Sequence, residues 1–386
     1  MQVRASNPLT LAKVSCIVFG IRFMTSFAIG LEDFSSLRQA VPDHVMIGAA
    51  IPELLLEDDR VSSLVGREFA TITAENEMKP QSLQPRRGQF NWGPADRIIA
   101  FAEAHDIVVI GHTLVWHNQS PSWMFEDEQG KPLPREVALQ NMKEHITTVM
   151  QRYKGKIKGW DVVNEAVPDG PGALRDTPAL RAIGDDYVLK AFEFAHEADP
   201  DAELYYNDYN IELDYKRDRA LALVKRIRDA GLRIDGVGIQ GHYLLDQPSI
   251  EEIARGIKAY TDAGFRVMIT ELDVDPLPRQ ENVGADLSAV ERDAADPYRE
   301  GFPEPMQQKL AERYRSLFEV FLQNPRITRI TFWGTTDAYT WLKNFPVRNR
   351  TNHPMLWDRK ANPKPAYHAV RQTLLKYRDP NQQIVK

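Results

Sequence analysis

Much that would point to a particular chemistry is missing from this 386-residue chain. It has one cysteine, Cys16, so neither an internal disulfide nor a cysteine-based zinc site can form. It has no excess of basic residues: 48 Lys and Arg stand against 54 Asp and Glu, for a net charge of −6. Without a basic stripe, no nucleic-acid partner is expected. No apolar run reaches the length of about 18 residues that a membrane span needs, so no membrane partner is expected either. A P-loop, a dinucleotide fingerprint and an arginine cluster for phosphate are all absent. So is any HxH or HExxH spacing, and the residues therefore call for no metal and no organic cofactor. What remains is an ordinary globular composition, 43% hydrophobic and 26% charged.

The amino terminus differs from the rest. Arg4 and Lys13 precede an apolar run, 14–21, which Arg22 interrupts before small residues near Ala28 and Gly30. Residues 1–34 read either as a signal peptide or as a disordered start. The first reading makes the protein secreted or periplasmic and the second leaves it cytoplasmic. Residues 35–378 are expected to form one catalytic domain, with 379–386 as a tail.

Within that domain, apolar runs of strand length alternate with stretches of helical period. Strands are expected at 45–51, 69–76, 107–116, 157–165, 203–209, 236–243, 266–274 and 327–334. Helices are expected at 94–106, 135–153, 185–199, 215–231, 249–264, 305–324 and 363–377. Strands apolar on both faces, all but the first leading to an expected helix, imply a parallel sheet. Eight such strands in one chain predict an α/β fold of the (β/α)8 TIM-barrel type, as a single domain. The acidic stretch 275–304, which includes Glu281, Asp286, Glu291, Asp293 and Asp296, is expected to overhang the active face.

A barrel of this type builds its site at the carboxyl ends of its strands. Those ends carry Glu75, Asn76 and Lys79; His112, Trp116, His117 and Gln119; Asn164 and Glu165; Asn207, Asp208 and Tyr209; Gln240 and His242; Glu271 and Asp273; and Trp333, with Trp341 in the loop beyond. Amides and imidazoles offer donors and acceptors at fixed angles, and indoles offer flat apolar faces. Such a set suits an uncharged, polyhydroxylated ligand. Glu165 and Glu271 each end an apolar strand, where an isolated ionised carboxylate would be costly. Two of them facing one cavity are what glycoside hydrolysis needs: one acid to protonate the leaving oxygen, and one carboxylate to attack or to activate water. Their surroundings must differ for one to stay protonated while the other is ionised. His242 and Asp273 are placed to hold Glu271 charged.

TAENEMK (73–79), GHTLVWHNQ (111–119), WDVVNEA (160–166), YYNDYN (205–210), IQGHY (239–243), ITELDV (269–274) and TFWGTTDAYTWL (331–342) follow one another in an order that closely resembles glycoside hydrolase family 10, the endo-β-1,4-xylanases. The resemblance covers about 45–375. It implies a retaining enzyme acting on xylan and xylo-oligosaccharides, with Glu165 as acid/base and Glu271 as nucleophile. It also implies that Asn164 bonds the sugar 2-hydroxyl and that His242 and Asp273 orient Glu271. His112, Trp116, Gln119, Gln240 and Trp333 would shape the subsite at the cleaved bond, and Glu75, Asn76, Lys79 and Trp341 would bind the next sugar. Tyr209 joins the expected substrate-binding residues, and a monomer is expected. The same machinery acting on another β-1,4-glucan, or a sugar-binding barrel without catalysis, are the alternatives. One position departs from the family: Pro80 stands where Trp is usual. Proline removes an N–H and fixes its own backbone, so the local loop is expected to differ.

Overall fold

The computed structural model describes residues 36–277, 296–345 and 348–378. The segments 1–34 and 379–386, and most of the acidic stretch expected over the active face, lie outside the described residues. Nine strands run parallel: β1 (Met46–Ile51), β2 (Thr71–Ala74), β3 (Val108–Trp116), β4 (Ile157–Asn164), β5 (Glu203–Asp208), β6 (Gly236–Ile239), β7 (His242–Leu244), β8 (Arg266–Asp275) and β9 (Ile327–Phe332). Each pairs with its neighbour in sequence from β1 to β6. β6 pairs with β8, β8 with β9 and β9 with β1, which closes the ring. The result is the expected (β/α)8 barrel.

One expected strand is divided. The stretch 236–243 breaks at Gln240–Gly241 into β6 and β7, and β7 forms its own ladder in which His242 faces Asp273. Gly241 has φ +82°, a conformation that costs a residue with a Cβ but not glycine. The Gln240 carbonyl still accepts from Glu271 N at 2.8 Å. The ladders β3–β4, β4–β5 and β8–β9 also slip register, low in the barrel at Val109–Ile110 and Val267–Met268 and higher up at His112–Val115, Asp161–Val163 and Ile269–Leu272. Irregularities of this kind re-aim side chains, and the upper three fall at the height of the candidate site residues. On β8, strand alternation turns Glu271 and Asp273 to one face and Leu272 to the other.

A helix follows each of the eight barrel positions: Asp59–Glu68, Gly93–Ala104, Arg135–Arg152, Tyr187–Ala198, Asp214–Asp229, Ile250–Asp262, Glu304–Leu322 and Pro365–Arg378. The first of these is absent from the sequence reading, although its signals are present. Asp58 caps it, accepting from Arg60 N at 3.1 Å and Val61 N at 3.3 Å, and Val61, Leu64 and Val65 are buried at helical spacing. It spans only ten residues, which is short for a periodic pattern to stand out. The cap has a second use, since Tyr339 from the loop after β9 donates to Asp58 at 3.4 Å.

Pro80 fits without disruption. It opens a short helix, Pro80–Leu83, where its missing N–H would have had no partner anyway. The Gln81 N–H reaches across to the Gln119 carbonyl at 2.8 Å, tying the loops after β2 and β3 together.

Loss of the Asp58 cap gives a direct test of the overlooked helix. Asp58→Ala is expected to lower the unfolding free energy by about 1 kcal/mol in urea denaturation. No change in stability would mean that the cap contributes nothing.

Candidate active site

Inside the barrel, successive layers of side chains lead up to the site. Ile110, Tyr205 and Met268 pack together in the core. Next come His112 on β3, Asp161 on β4, and Asn207 and Thr270 on β5 and β8. His112 Nδ1 lies 2.9 Å from Asp161 Oδ2, and both are buried. Thr270 donates to Asn207 Oδ1 at 2.6 Å. Room for Asn207 comes from Gly238 on β6, where a Cβ would lie 2.3 Å from Asn207 Oδ1.

Glu271 sits on this base. Asn207 Nδ2 donates to its Oε1 at 2.8 Å, and His242 Nε2 lies 3.2 Å from its Oε2. The other nitrogen of His242 lies 3.1 Å from Asp273 Oδ1, and Trp341 Nε1 donates to Asp273 Oδ2 at 2.7 Å. Burial opposes the charge on Glu271. The bond from His242 and the charges of His112 and Lys79 outweigh it, and its carboxyl is held below the ordinary glutamate value. Burial alone would lower the pKa of His242, but Asp273 and Glu271 raise it to about 10. Glu271 is therefore a desolvated carboxylate kept ionised by an imidazolium and an amide.

Glu165 stands in different company. Trp116 Nε1 donates to its Oε2 at 2.9 Å, and Gln240 Nε2 to its Oε1 at 3.0 Å. His117 Nε2 lies 3.9 Å away. Burial, reinforced by the Arg175 and Lys216 charges, lowers the pKa of His117 to about 4, so it meets Glu165 as a neutral ring near pH 7. Asn164 bridges the two acids' surroundings. In the orientation that satisfies its neighbours, its amide nitrogen donates to the Asn207 carbonyl at 3.1 Å and its oxygen accepts from Trp116 at 3.3 Å. The backbone of Glu165 is left-handed, with φ +58°.

The remaining expected residues fall into two groups. Lys79, Asn76, Gln119, Glu75, Trp333 and Trp341 form one. Lys79 Nζ donates to Asn76 Oδ1 at 3.1 Å and lies 4.8 Å from the Trp116 ring and 5.9 Å from that of Trp333. Gln119 Nε2 reaches the same Asn76 oxygen at 3.4 Å. Burial lowers the Lys79 pKa, against the pull of Glu271, Glu75, Glu165 and Glu77, and burial raises that of Glu75. Trp333 meets His112 edge-on at 5.3 Å, and Trp341 stacks on half-exposed Phe345 at 4.9 Å. Tyr209 belongs to the other group, beside Glu165. Its hydroxyl accepts from Arg175 at 2.8 Å and bonds Asp169, and its ring lies 3.6 Å from Lys216 Nζ.

Several contributors escaped the sequence reading. Asn207 stands at a strand end, a position that alone gives it no role. Asp161 lies within a motif, but its partner His112 is 49 residues away on another strand. Arg175 sits ten residues past Glu165, in a loop that carries no periodic signal.

A parallel (β/α)8 barrel with two differently held glutamates at the carboxyl ends of β4 and β8 defines a glycoside hydrolase. Residues 36–373 match the model of glycosyl hydrolase family 10, and the chain belongs to that family. It is 43% identical over 338 residues to an endo-1,4-beta-xylanase of Geobacillus stearothermophilus, an alignment covering 87% of this chain and 97% of that one. A GH10 endoxylanase from a sugarcane soil metagenome superposes with a TM-score of 0.83 at 40% identity, covering 88% of this chain and 99% of that one. Xylanase 10B of Thermotoga petrophila RKU-1, solved in complex with xylobiose, superposes with a TM-score of 0.77 at 33% identity, covering 89% and 98%.

Two outcomes follow from the packing and the charges. Gly238→Ala should push Asn207 off Glu271 and lower kcat by about 10²-fold, as small misplacements of reacting groups do. Circular dichroism should show the barrel intact, and unchanged kcat would refute the positioning of Asn207. The second outcome concerns pH. A histidine whose pKa is about 10 in the fold, against an ordinary 6.5, contributes stability that is complete below pH 6.5 and lost as pH rises to 10. Urea denaturation across that window should show the native protein losing stability relative to His242→Asn. Parallel profiles would mean that His242 is not held charged.

Proposed function

We propose that the protein is a retaining endo-1,4-β-xylanase in which Glu165 is the acid/base and Glu271 the nucleophile. One observation carries the reading. Glu271 is buried yet held ionised by His242 and Asn207, whereas Glu165 receives neutral donors, Trp116 and Gln240. That asymmetry is what double displacement needs. In the first step the Glu165 proton passes to the glycosidic oxygen as its bond to the anomeric carbon breaks, and a Glu271 oxygen bonds that carbon. In the second step a water loses a proton to Glu165 and bonds the anomeric carbon, and the Glu271 ester bond breaks. The configuration inverts twice and is retained.

Xylan as substrate is supported by relatives named as xylanases at 39–43% identity over most of their length. In this reading Lys79, Asn76, Glu75 and Trp341 receive the next sugar on the non-reducing side. His112, Trp116, Gln119, Asn164, Gln240 and Trp333 surround the sugar being cleaved, and Tyr209 stands toward the leaving group. A monomer suffices for this chemistry, since one chain supplies both carboxylates. A polymeric substrate cannot cross a membrane, which supports reading residues 1–34 as an export signal.

Glu271→Ala is expected to lose xylan hydrolysis and to regain turnover with azide, which replaces the missing nucleophile; full activity without azide would end the assignment. Proton NMR during early turnover should show the β-anomer released first. Faster turnover of aryl cellobiosides than of aryl xylobiosides would move the substrate to β-1,4-glucan.

A further inference from the structure

The turn that carries Glu165 is bonded at every backbone polar group. Glu165 N donates to the Asn207 carbonyl at 2.9 Å, Ala166 N to the Tyr206 hydroxyl at 3.1 Å, and Val167 N to Asp208 Oδ2 at 3.3 Å. The three carbonyls of this turn all accept from one residue, Arg175. Its Nε donates to Glu165 O at 3.0 Å, its backbone N to Ala166 O at 2.7 Å, and its Nη2 to Val167 O at 3.1 Å. The same Nη2 also holds the Tyr209 hydroxyl at 2.8 Å. Arg175 has 19% of its side chain exposed, and its closest carboxylate is Asp169, 3.8 Å away. The guanidinium therefore spends its short contacts on a turn and a phenol rather than on an ion pair.

This placement has a physical consequence. A left-handed backbone is costly for a residue with a Cβ. It persists only where the surroundings over-determine it. If its carbonyl lost its partner, the Glu165 backbone could relax toward the ordinary region and swing the carboxyl away from Trp116 and Gln240. The planar fork of arginine is suited to bonding several acceptors at fixed angles, and a lysine ammonium is not.

We infer that Arg175 is a positioning residue for the proton donor: it clamps the left-handed turn of Glu165 and so sets the aim of that carboxyl at the leaving oxygen. The inference rests on the proposed acid/base role of Glu165. It adds that the aim is fixed through the main chain, by a residue that does not touch the carboxyl.

The test compares two aryl β-xylobiosides, one with a 2,4-dinitrophenyl leaving group that needs no protonation and one with a phenyl leaving group that does. Arg175→Lys and Arg175→Ala are assayed for kcat/KM on both, beside Glu165→Ala as the reference. For Arg175→Lys, kcat/KM on the phenyl substrate should fall about 10²-fold, as misplaced catalytic groups do, with the dinitrophenyl value nearly unchanged. Added guanidinium should restore part of the phenyl activity of Arg175→Ala. An equal loss on both substrates, or none on either, overturns the inference, because a merely structural arginine has no preference for the leaving group. If Glu165→Ala itself lost activity equally on both substrates, the acid/base assignment would fail instead. Should Arg175→Ala not fold, Arg175→Lys alone decides.

Discussion

The structure depends on one hydrogen bond in the barrel interior, from the Asn207 amide to Glu271. Glu271 is a carboxylate held charged where there is little water, and burial works against that charge. One side-chain donor and one imidazolium answer it, and each arrives from a different strand. Asn207 can take its place only because β6 offers no Cβ at Gly238, and it is aimed by Thr270. The register slips in the surrounding ladders then become intelligible. A regular barrel would continue its layers of apolar side chains to the rim, whereas here the three upper slips border the polar groups His112, Asp161 and Glu271.

The two glutamates solve opposite problems with different means. Around Glu271 the solution is electrostatic, a chain from Trp341 through Asp273 and His242 to the carboxylate. Around Glu165 it is conformational, a turn held in a costly backbone state by hydrogen bonds on all sides. Charge tuning lets a buried carboxyl stay ionised. Around Glu165 the main-chain bonds fix where the carboxyl points, and the donors it meets there, Trp116 and Gln240, are neutral.

Much of this was legible in the sequence, and the rest for identifiable reasons was not. Alternating strand and helix periods predict the barrel because its strands are buried on both faces and read as plain apolar runs. Glutamates, amides and indoles at strand ends mark the site because the fold confines chemistry to that rim. Cross-strand partnership leaves no trace in a single strand, so Asp161 and Asn207 could not be assigned their roles. Arg175 was hidden because its contacts are with carbonyl groups, which every residue possesses. The break at Gln240–Gly241 was hidden because four residues of β6 and three of β7 look like one strand when read in line.

Past its register slip, β8 behaves like a counting rule. Glu271 and Asp273 reach His242 together because buried Leu272 alone separates them. Removing or adding a single residue in Thr270–Asp273 would present leucine to the substrate and turn a carboxylate into the apolar layer. Along this strand, divergence in chain length can therefore accumulate only beyond Asp275, where the strand ends and the backbone no longer keeps count.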